Sequence, residues 1–486
     1  MPLAATLLRS IWGMWQYRAC HASPDRVQRL QQRRLHSLLR HATAQSQFYR
    51  KKFAGIDIEN CSVSDLPTTT KDELMERFDD VVTDSTIRRI DLERFVDDSS
   101  NIGRLYQDKF LVCHTSGSQG RPLIVVQDPL MLDLLFIFQM TRVNVVYARN
   151  GPLEAARRFF RPERVAILIS RPGFFPSAWA WKHLPPALQP YIRLLFIQAN
   201  DEALIEKLND FRPTILVSTP TTLDLLALKV DQLRLEQLHQ VAANSETMTA
   251  NVRARLAEAY KVPVLDTYGA GECLYLTNGC HTHPGAHINA DWAILEVVDE
   301  QNQPVAPGEF GHKVLLTNLA NTTQPIIRYE IRDRVMLATS PCGCGNRLPR
   351  IERILGRTAD VFWMQSSTGV RPLTTYPFQH ALEHFRQLRE WQATQLSDNR
   401  IQVSLEPLPG ASLDLHAVRE RLYQRLQLAG WPQLPEIEFN VVTRLAADAH
   451  TGKFRRMICR SGPTKTPAQN TSDGSLMGQF QLTQSR

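Results

Sequence analysis

Between residues 111 and 265, short β-branched runs alternate with helical stretches, and this alternation constrains the chain more than any other feature. The runs are Leu111–Cys113, Val165–Ile169, Leu194–Ile197, Thr214–Ser218 and Val262–Leu265. Helical stretches at Glu202–Asn209, Thr221–Leu228 and Ala250–Tyr260 separate several of them. Strands spaced by helices predict βαβ units and a largely parallel sheet, so the expected fold class is α/β. From about residue 284 the texture changes. Ala293–Val298, Lys313–Thr317 and Val335–Ala338 read as short strands joined by polar turns, a β-rich subdomain. After Gly356-Arg357, strand Ile401–Leu405, helix Asp414–Leu428 and strand Glu436–Val442 predict a small α+β unit.

The N-terminal region reads differently. Val27, Leu30, Leu35, Leu38 and Leu39 recur at helical spacing within residues 24–54. Thr70 with Glu73 has the form of a capping box that opens a helix over Lys71–Phe78. The segment Arg18–Lys52 is rich in Arg, Lys and His and poor in acids, which reads as the solvated face of a helix. The tail Ser461–Arg486 is expected to be disordered.

At 486 residues the chain exceeds one ordinary core. A net charge of +7 permits phosphate binding without demanding nucleic acid, and none is expected as a partner. No apolar run reaches the ~18–20 residues needed to span a bilayer. Cys20, Cys61, Cys113 and Cys459 are scattered rather than arranged as a disulfide framework. A cytoplasmic enzyme is the expected class.

Chemistry enters at Thr115-Ser116-Gly117-Ser118-Gln119-Gly120-Arg121-Pro122. Its glycines permit close approach of backbone amides to phosphate oxygens; the hydroxyls add donors and Arg121 adds charge. The P-loop spacing of ATPases is absent. The loop resembles the T-S-G-S-T-G-K-P signature of the adenylate-forming superfamily, with Gln119 and Arg121 as departures. Further motifs follow in the family's order. Asn244-Ser245-Glu246 resembles the acidic turn beside the nucleotide. Asp266-Thr267-Tyr268-Gly269-Ala270-Gly271-Glu272 resembles D/N-x-Y-G-x-T-E, with Gly271 in place of Thr. Arg328-Tyr329-Glu330-Ile331-Arg332-Asp333 resembles R-Y-R-T-x-D. Gly356-Arg357 resembles the opening of the domain hinge, although Ala359 stands where that hinge usually has an acid. Thr451-Gly452-Lys453 resembles the C-terminal G-K motif. His41-Ala42, Phe48-Tyr49-Arg50, Leu66-Pro67 and Lys71-Asp72 narrow the resemblance to the phenylacetate–CoA ligase and CapK-like branch, over residues ~25 to ~460.

Cys342-Gly343-Cys344-Gly345 forms a tight C-x-C-G knuckle, and Cys280 lies upstream in Cys280-His281-Thr282-His283-Pro284-Gly285-Ala286-His287. Three thiolates and one imidazole make a closed, structural zinc site, with His283 or His287 as the fourth ligand. Members of the same branch show a similar arrangement.

The resemblance implies a two-part architecture: an N-terminal adenylation domain over 1–355 with a helical start at 1–80, and a lid domain over 356–460. It implies ATP and Mg²⁺ as cofactors, a small-molecule carboxylate as substrate, and coenzyme A or a carrier-protein thiol as acceptor; a homodimer is an open expectation. Lys453 would bridge the carboxylate and the α-phosphate, Glu272 would hold Mg²⁺, and Arg121 with the loop amides would orient pyrophosphate. Thr115, Ser116, Gly117, Ser118, Gly120, Ser245, Glu246, Asp266, Thr267, Tyr268, Gly269, Asp333 and Arg357 would line the nucleotide. The reaction implied is formation of an acyl-AMP, from an aryl or arylalkyl acid by analogy, then of a thioester. Transfer to an amine, AMP transfer to a hydroxyl, and a degenerate nucleotide-binding scaffold are the alternatives. Leu132–Met140, with Phe136 and Phe138, would either wall an aromatic acid or belong to the core.

Overall fold

A computed structural model describes residues 15, 18–19, 21–114, 123–138, 142, 163–169, 173–174, 192–357, 361–366, 369–431, 434–448 and 453–459. The loop 115–122, the hinge positions 358–360 and the tail 461–486 therefore lie outside the described residues.

The N-terminal amphipathic stretch is two helices rather than one. Helix α1 (Pro24–Gln45) buries Val27, Leu35, Leu38, Leu39 and Ala42 along one face. It stops at Ser46, whose hydroxyl accepts from Tyr49 N–H and starts a short second helix over Gln47–Lys52. Helix α2 (Lys71–Glu76) opens with the capping box anticipated from sequence: Thr70 N–H donates to Glu73 Oε2 at 2.8 Å and Glu73 N–H to Thr70 Oγ1 at 3.3 Å. A parallel bridge from Thr69 to Tyr329 and a bond from Tyr49 Oη to the Pro325 carbonyl (2.8 Å) tie these helices to the β-rich region. One hydrophobic core runs through all of them, from Leu35 to Tyr329.

Strands β1 (Leu111–His114) and β2 (Ile124–Gln127) pair antiparallel, with His114 opposite Ile124, and lead into helix α3 (Pro129–Phe138). The central layer is a five-stranded, wholly parallel sheet made of β3 (Glu163–Ile169), β4 (Ile192–Gln198), β5 (Ile215–Ser218), β6 (Gln240–Ala243) and β7 (Val264–Asp266). Its order is β4-β3-β5-β6-β7. Helices α4 (Leu204–Phe211), α5 (Pro220–Ala227) and α6 (Ala250–Tyr260) connect its strands. Leu208, Leu223, Leu226, Val252 and Leu256 pack from these helices onto Leu216 and Val241 of the sheet. Thr219 and Thr249 cap α5 and α6 through Thr222 N–H and Val252 N–H.

Two antiparallel sheets form the β-rich region. One orders β10 (Ala293–Val298), β11 (Lys313–Asn318) and β12 (Tyr329–Ile331). The other orders β13 (Asp333–Leu337), β14 (Arg350–Arg357), β9 (Ala286–Ile288) and β8 (Thr277–Gly279). Beyond residue 360, β15 (Val361–Ser366) and β16 (Gly369–Thr374) form a hairpin. A mixed sheet follows, built from β17 (Leu388–Ser397), β18 (Arg400–Pro407), β19 (Glu436–Val441) and β20 (Met457–Cys459), with helices α7 (Thr375–Leu382) and α8 (Leu415–Leu428). This unit has its own core of Phe362, Phe378, Trp391, Val403, Leu422 and their neighbours. Among the described residues, no helix is long and apolar enough to cross a membrane.

Candidate active site

In a parallel sheet, chain crossing above the strands leaves a crevice at their carboxyl ends, where ligands bind. Two of the motifs sit there. Asn244-Ser245-Glu246 follows β6 and Asp266-Thr267-Tyr268 follows β7, with Ala243 and Asp266 in register. Thr267 N–H donates to the Ala243 carbonyl at 3.0 Å, so the two turns are bonded to each other. Ser245 holds φ +69°, a left-handed conformation rare for a residue with a side chain.

Tyr268 is fixed at three points. Its N–H donates to Thr277 Oγ1 (2.9 Å), its carbonyl accepts from the same hydroxyl (2.6 Å), and its phenol donates to Asp333 Oδ2 at 2.8 Å. Two residues expected to line the nucleotide are thus in direct contact. Asp333 opens β13 and lies opposite Arg357, the last residue of β14. Gly356 beside it has φ +107°, a conformation that glycine adopts without penalty.

Glu272 is 6% exposed. Its carbonyl accepts from Asn318 Nδ2 (2.7 Å), while the preceding Gly271 carbonyl accepts from Gln127 Nε2 (2.6 Å). The hairpin that carries residues 115–122 is thereby bonded to the Tyr268–Glu272 segment. Burial, reinforced by the Glu272 charge, pushes the Cys113 thiol well above its ordinary range. Cys113 Sγ lies 3.8 Å from the Gly271 carbonyl, so the Gly271-Glu272 backbone sits beside the end of β1. Thr115, Ser116, Gly117, Ser118, Gly120 and Arg121 themselves lie outside the described residues. Asp266 pairs with Arg253 at 3.2 Å; burial raises its carboxyl to about 6 against the opposing pull of that guanidinium.

Lys453 comes from the distant C-terminal unit. Its carbonyl accepts from Asp448 N–H (2.9 Å), and the next residue, Phe454, donates its N–H to Glu246 Oε1 at 2.9 Å. Glu246 Oε2 also accepts from Thr221 N–H at 3.2 Å, at the start of α5. Arg456 donates to the Thr247 carbonyl (3.1 Å) and forks onto Glu390 (2.9 and 2.7 Å). Below these contacts, Arg255 of α6 forks onto Asp224 of α5 at 2.8 and 3.0 Å, and Arg389 of β17 reaches the same carboxylate at 3.2 Å. Arg389 also forks onto Glu406, whose Oε2 accepts from Leu445 N–H at 2.7 Å. A buried chain of alternating charges therefore joins the parallel-sheet helices to the unit carrying Lys453. Sequence reading missed Asp224, Arg255, Arg389 and Glu406; only their being charged residues inside apolar stretches hinted at a role.

The cysteine cluster begins just after β8, whose Gly279 lies against Leu265 and Asp266. Ligand atoms of Cys280, His287, Cys342 and Cys344 lie within 4.8 Å of one another. Cys280 Sγ is 3.4 Å from Cys342 Sγ, and Cys344 Sγ is 3.3 Å from His287 Nε2. His287 Nδ1 is 3.0 Å from the Leu348 carbonyl, the partner that would fix the tautomer with Nε2 free to ligate. His283 is outside the group; its Nε2 sits beside Gly343 of the knuckle. Cys280 and Cys344 share a hydrogen bond that drives the Cys280 thiol down and the Cys344 thiol up. Asn346 N–H donates to Cys344 Sγ at 3.4 Å. Spacing, donor softness and an oriented imidazole together suit a divalent, thiophilic metal.

Phe138 is 1% exposed and packs edge-on against Tyr275, so it belongs to the core; the Phe136 side chain is outside the described set.

A family model described as AMP-binding enzyme matches residues 26–316. Phenylacetate-coenzyme A ligase of Escherichia coli is 25% identical over 389 residues, covering 75% of this chain and 79% of that protein. The ligase of the same name from Thermus thermophilus is 29% identical over 189 residues, an alignment that spans 37% of this chain and only 40% of that protein. A solved structure of 2-hydroxyisobutyryl-CoA ligase in its postadenylation state shares the fold with a TM-score of 0.66 at 20% identity, covering 88% of each chain.

Proposed function

This chain belongs to the AMP-binding enzyme family, and on that premise we propose that it activates a carboxylic acid with ATP and passes the acyl group to coenzyme A. A carboxylate oxygen attacks the α-phosphorus, the α–β bridging P–O bond breaks, and pyrophosphate leaves, giving an acyl-adenylate. A thiol, losing its proton, then attacks the acyl carbon; the bond to AMP breaks and a thioester remains. The ligases named for phenylacetate make aryl and arylalkyl acids the first class to assay.

The observation that carries this reading is the contact between Glu246 and Phe454 N–H. It brings the segment bearing Lys453, some 200 residues away in sequence, to the crevice edge where Tyr268 and Asp333 already meet. A cation delivered there offsets the repulsion between two anionic reactants and acts where charge develops. Tyr268 would face the adenine, and Asp333, oriented by the Tyr268 phenol, would accept from the ribose hydroxyls. Ser245, Thr267, Gly269 and Arg357 would complete the wall, with Arg121 and the amides of residues 115–120 on the pyrophosphate side. Glu272, buried near the root of that loop, would hold Mg²⁺, which when bound neutralises phosphate charge. Cys280, His287, Cys342 and Cys344 would hold one zinc ion in a closed structural site. Residues 356–460 would act as a lid that turns about Gly356-Arg357 between the two half-reactions.

The test is carboxylate-dependent exchange of pyrophosphate into ATP over a panel of acids, with and without coenzyme A. Acid-dependent exchange and thioester formation are expected, and Lys453→Ala should abolish exchange while ATP still binds. Exchange that needs no acid, or that survives Lys453→Ala at the parent rate, overturns the proposal. Exchange without thioester redirects the second step to another acceptor, a reading favoured by Ala359 at the hinge.

A further inference from the structure

One short strand joins the crevice to the cysteine cluster. β8 begins with Thr277, whose side chain reaches Tyr268, and it is followed at once by Cys280 of the cluster. A threonine hydroxyl has one proton to give and two lone pairs to accept with. Thr277 is buried and spends both functions on a single residue. Its Oγ1 donates to the Tyr268 carbonyl at 2.6 Å and accepts from the Tyr268 N–H at 2.9 Å. The peptide planes on either side of the Tyr268 Cα are therefore tied to one atom. Tyr268 lies just past Asp266, where the register of β7 with β6 ends. Its ring is held at the root by Thr277 and at the tip by Asp333.

Thr277 is held in turn by the hairpin that carries two of the clustered ligands. β8 pairs with β9 in the register Thr277–Ile288, Asn278–His287 and Gly279–Ala286, so His287 stands opposite the residue next to Thr277. Cys280 N–H donates to the Gly285 carbonyl at 3.2 Å, and Asn278 Nδ2 to Asn289 Oδ1 at 2.7 Å. The other flank of β8 has no slack. A Cβ on Gly279 would stand 2.8 Å from Leu265 Cβ and 3.0 Å from the Asp266 carbonyl oxygen. From Thr277 to Cys280 the extended chain covers roughly 10 Å, so a displacement at one end reaches the other. Four ligands closed on one ion would fix Cys280 and His287 relative to each other, and with them the two strands of the hairpin.

We propose, resting on the reading that Tyr268 faces the adenine, that Thr277 is a positioning residue for nucleotide binding and that a metal ion in the Cys280–His287–Cys342–Cys344 cluster fixes Thr277 in place. Thr277 touches no part of the nucleotide; it acts through the Tyr268 backbone. Two ligands that bias one shared element are linked reciprocally. The factor by which metal tightens nucleotide binding is the factor by which nucleotide tightens metal binding. A cluster that served only to hold the fold would leave the nucleotide affinity of the folded protein unchanged.

AMP affinity of the full, zinc-loaded chain is measured by calorimetry for the parent, Tyr268→Ala, Thr277→Val and Thr277→Ser. The parent is measured again after EDTA has stripped the metal and after zinc(II) is returned, with circular dichroism to confirm the fold of every form. Tyr268→Ala and Thr277→Val should each weaken AMP about tenfold, and Thr277→Ser, which keeps the hydroxyl, should retain most of the affinity. Stripping should weaken AMP by about the same factor, and zinc(II) should restore it. In pyrophosphate exchange, Thr277→Val should raise the KM for ATP and spare kcat. If the stripped protein unfolds, zinc(II) affinity measured by competition with a chelator gives the same quantity, and saturating AMP should tighten it about tenfold. AMP affinity untouched by Tyr268→Ala overturns the reading of Tyr268 and this proposal with it. Affinity lost in Tyr268→Ala but not in Thr277→Val, or lost equally in Thr277→Ser, overturns the role of Thr277 alone. Equal AMP affinity in folded stripped and zinc-loaded protein, or a zinc(II) affinity indifferent to AMP, overturns the part played by the metal.

Discussion

The buried charge chain between the two halves of the molecule makes Asp224→Asn the most informative single substitution. Asp224 is 2% exposed in its side chain, Arg389 1% and Glu406 3%; Arg255, at 16%, is the most accessible of the four. Two carboxylates and two guanidiniums balance one another. Replacing Asp224 with the isosteric amide leaves one buried positive charge without a counter-charge, a class of change that costs about 3–5 kcal/mol. The lower end applies, because Arg389 keeps its fork on Glu406 and Arg255 keeps the Arg389 carbonyl at 2.9 Å. Each unit has its own hydrophobic core, so the loss should fall on docking rather than on folding. About 3 kcal/mol shifts a docking equilibrium by roughly a hundredfold. Limited trypsin proteolysis that separates the two units measures the undocked fraction and should accelerate by up to that factor, while both cores still melt cooperatively. A double-mutant cycle with Arg255→Met should give a coupling of about 1–3 kcal/mol. A cleavage rate equal to the parent's and a coupling below about 0.5 kcal/mol would refute the view that these charges hold the halves together.

Three further outcomes are expected. Tyr268→Phe removes a bond from a phenol to the charged Asp333, so the KM for ATP in the exchange assay should rise about tenfold, with kcat less affected. Asp266 ionises at about 6 when folded against an ordinary 3.8, so its burial costs nothing below pH ~4 and about 3 kcal/mol above pH ~6; stability should fall as pH rises through that window, and Asp266→Asn should flatten the fall in urea titrations at pH 4.5 and 7. Elemental analysis should find about one zinc per chain, and a strong chelator or Cys342→Ser should lower the melting temperature; a metal-free preparation that melts identically would remove the cluster from the account of stability.

How much of this was legible beforehand depended on range. Helix Ala250–Tyr260 and strand Ala293–Val298 coincide with their sequence readings because local signals bound them: the Thr249 cap and the left-handed Lys261 at the two ends of the helix, polar turns around the strand. Strand Gln240–Ala243 was missed, since Gln-Val-Ala-Ala carries little strand propensity and is held in place by parallel neighbours on both sides. Strand Leu388–Ser397 was missed for a related reason. Its buried Arg389, Glu390, Thr394 and Gln395 read as surface residues until the partners of Arg389 and Glu390 are known. The predicted helix over 24–54 overran Ser46, where a cap within the amphipathic pattern restarts the helix. At the site, motif order was visible but contact was not. Tyr268 meets Asp333 across 65 residues and Glu246 meets Phe454 across 208, separations that no local pattern encodes. His287 rather than His283 sits with the three cysteines, its Nδ1 3.0 Å from the Leu348 carbonyl, a grouping that spacing alone left open.

One rung of the β13–β14 ladder has a mechanical meaning. Asp333 and Arg357 face each other on it, Arg357 being the last residue of β14. Any pull on the carboxylate by the Tyr268 phenol is felt one strand away, at the end of β14. The far end of β14 is paired to β9 at His287, inside the cysteine cluster. The strand is thus a beam clamped at one end and loaded at the other, and Gly356, free to take φ +107°, is where such a beam would flex.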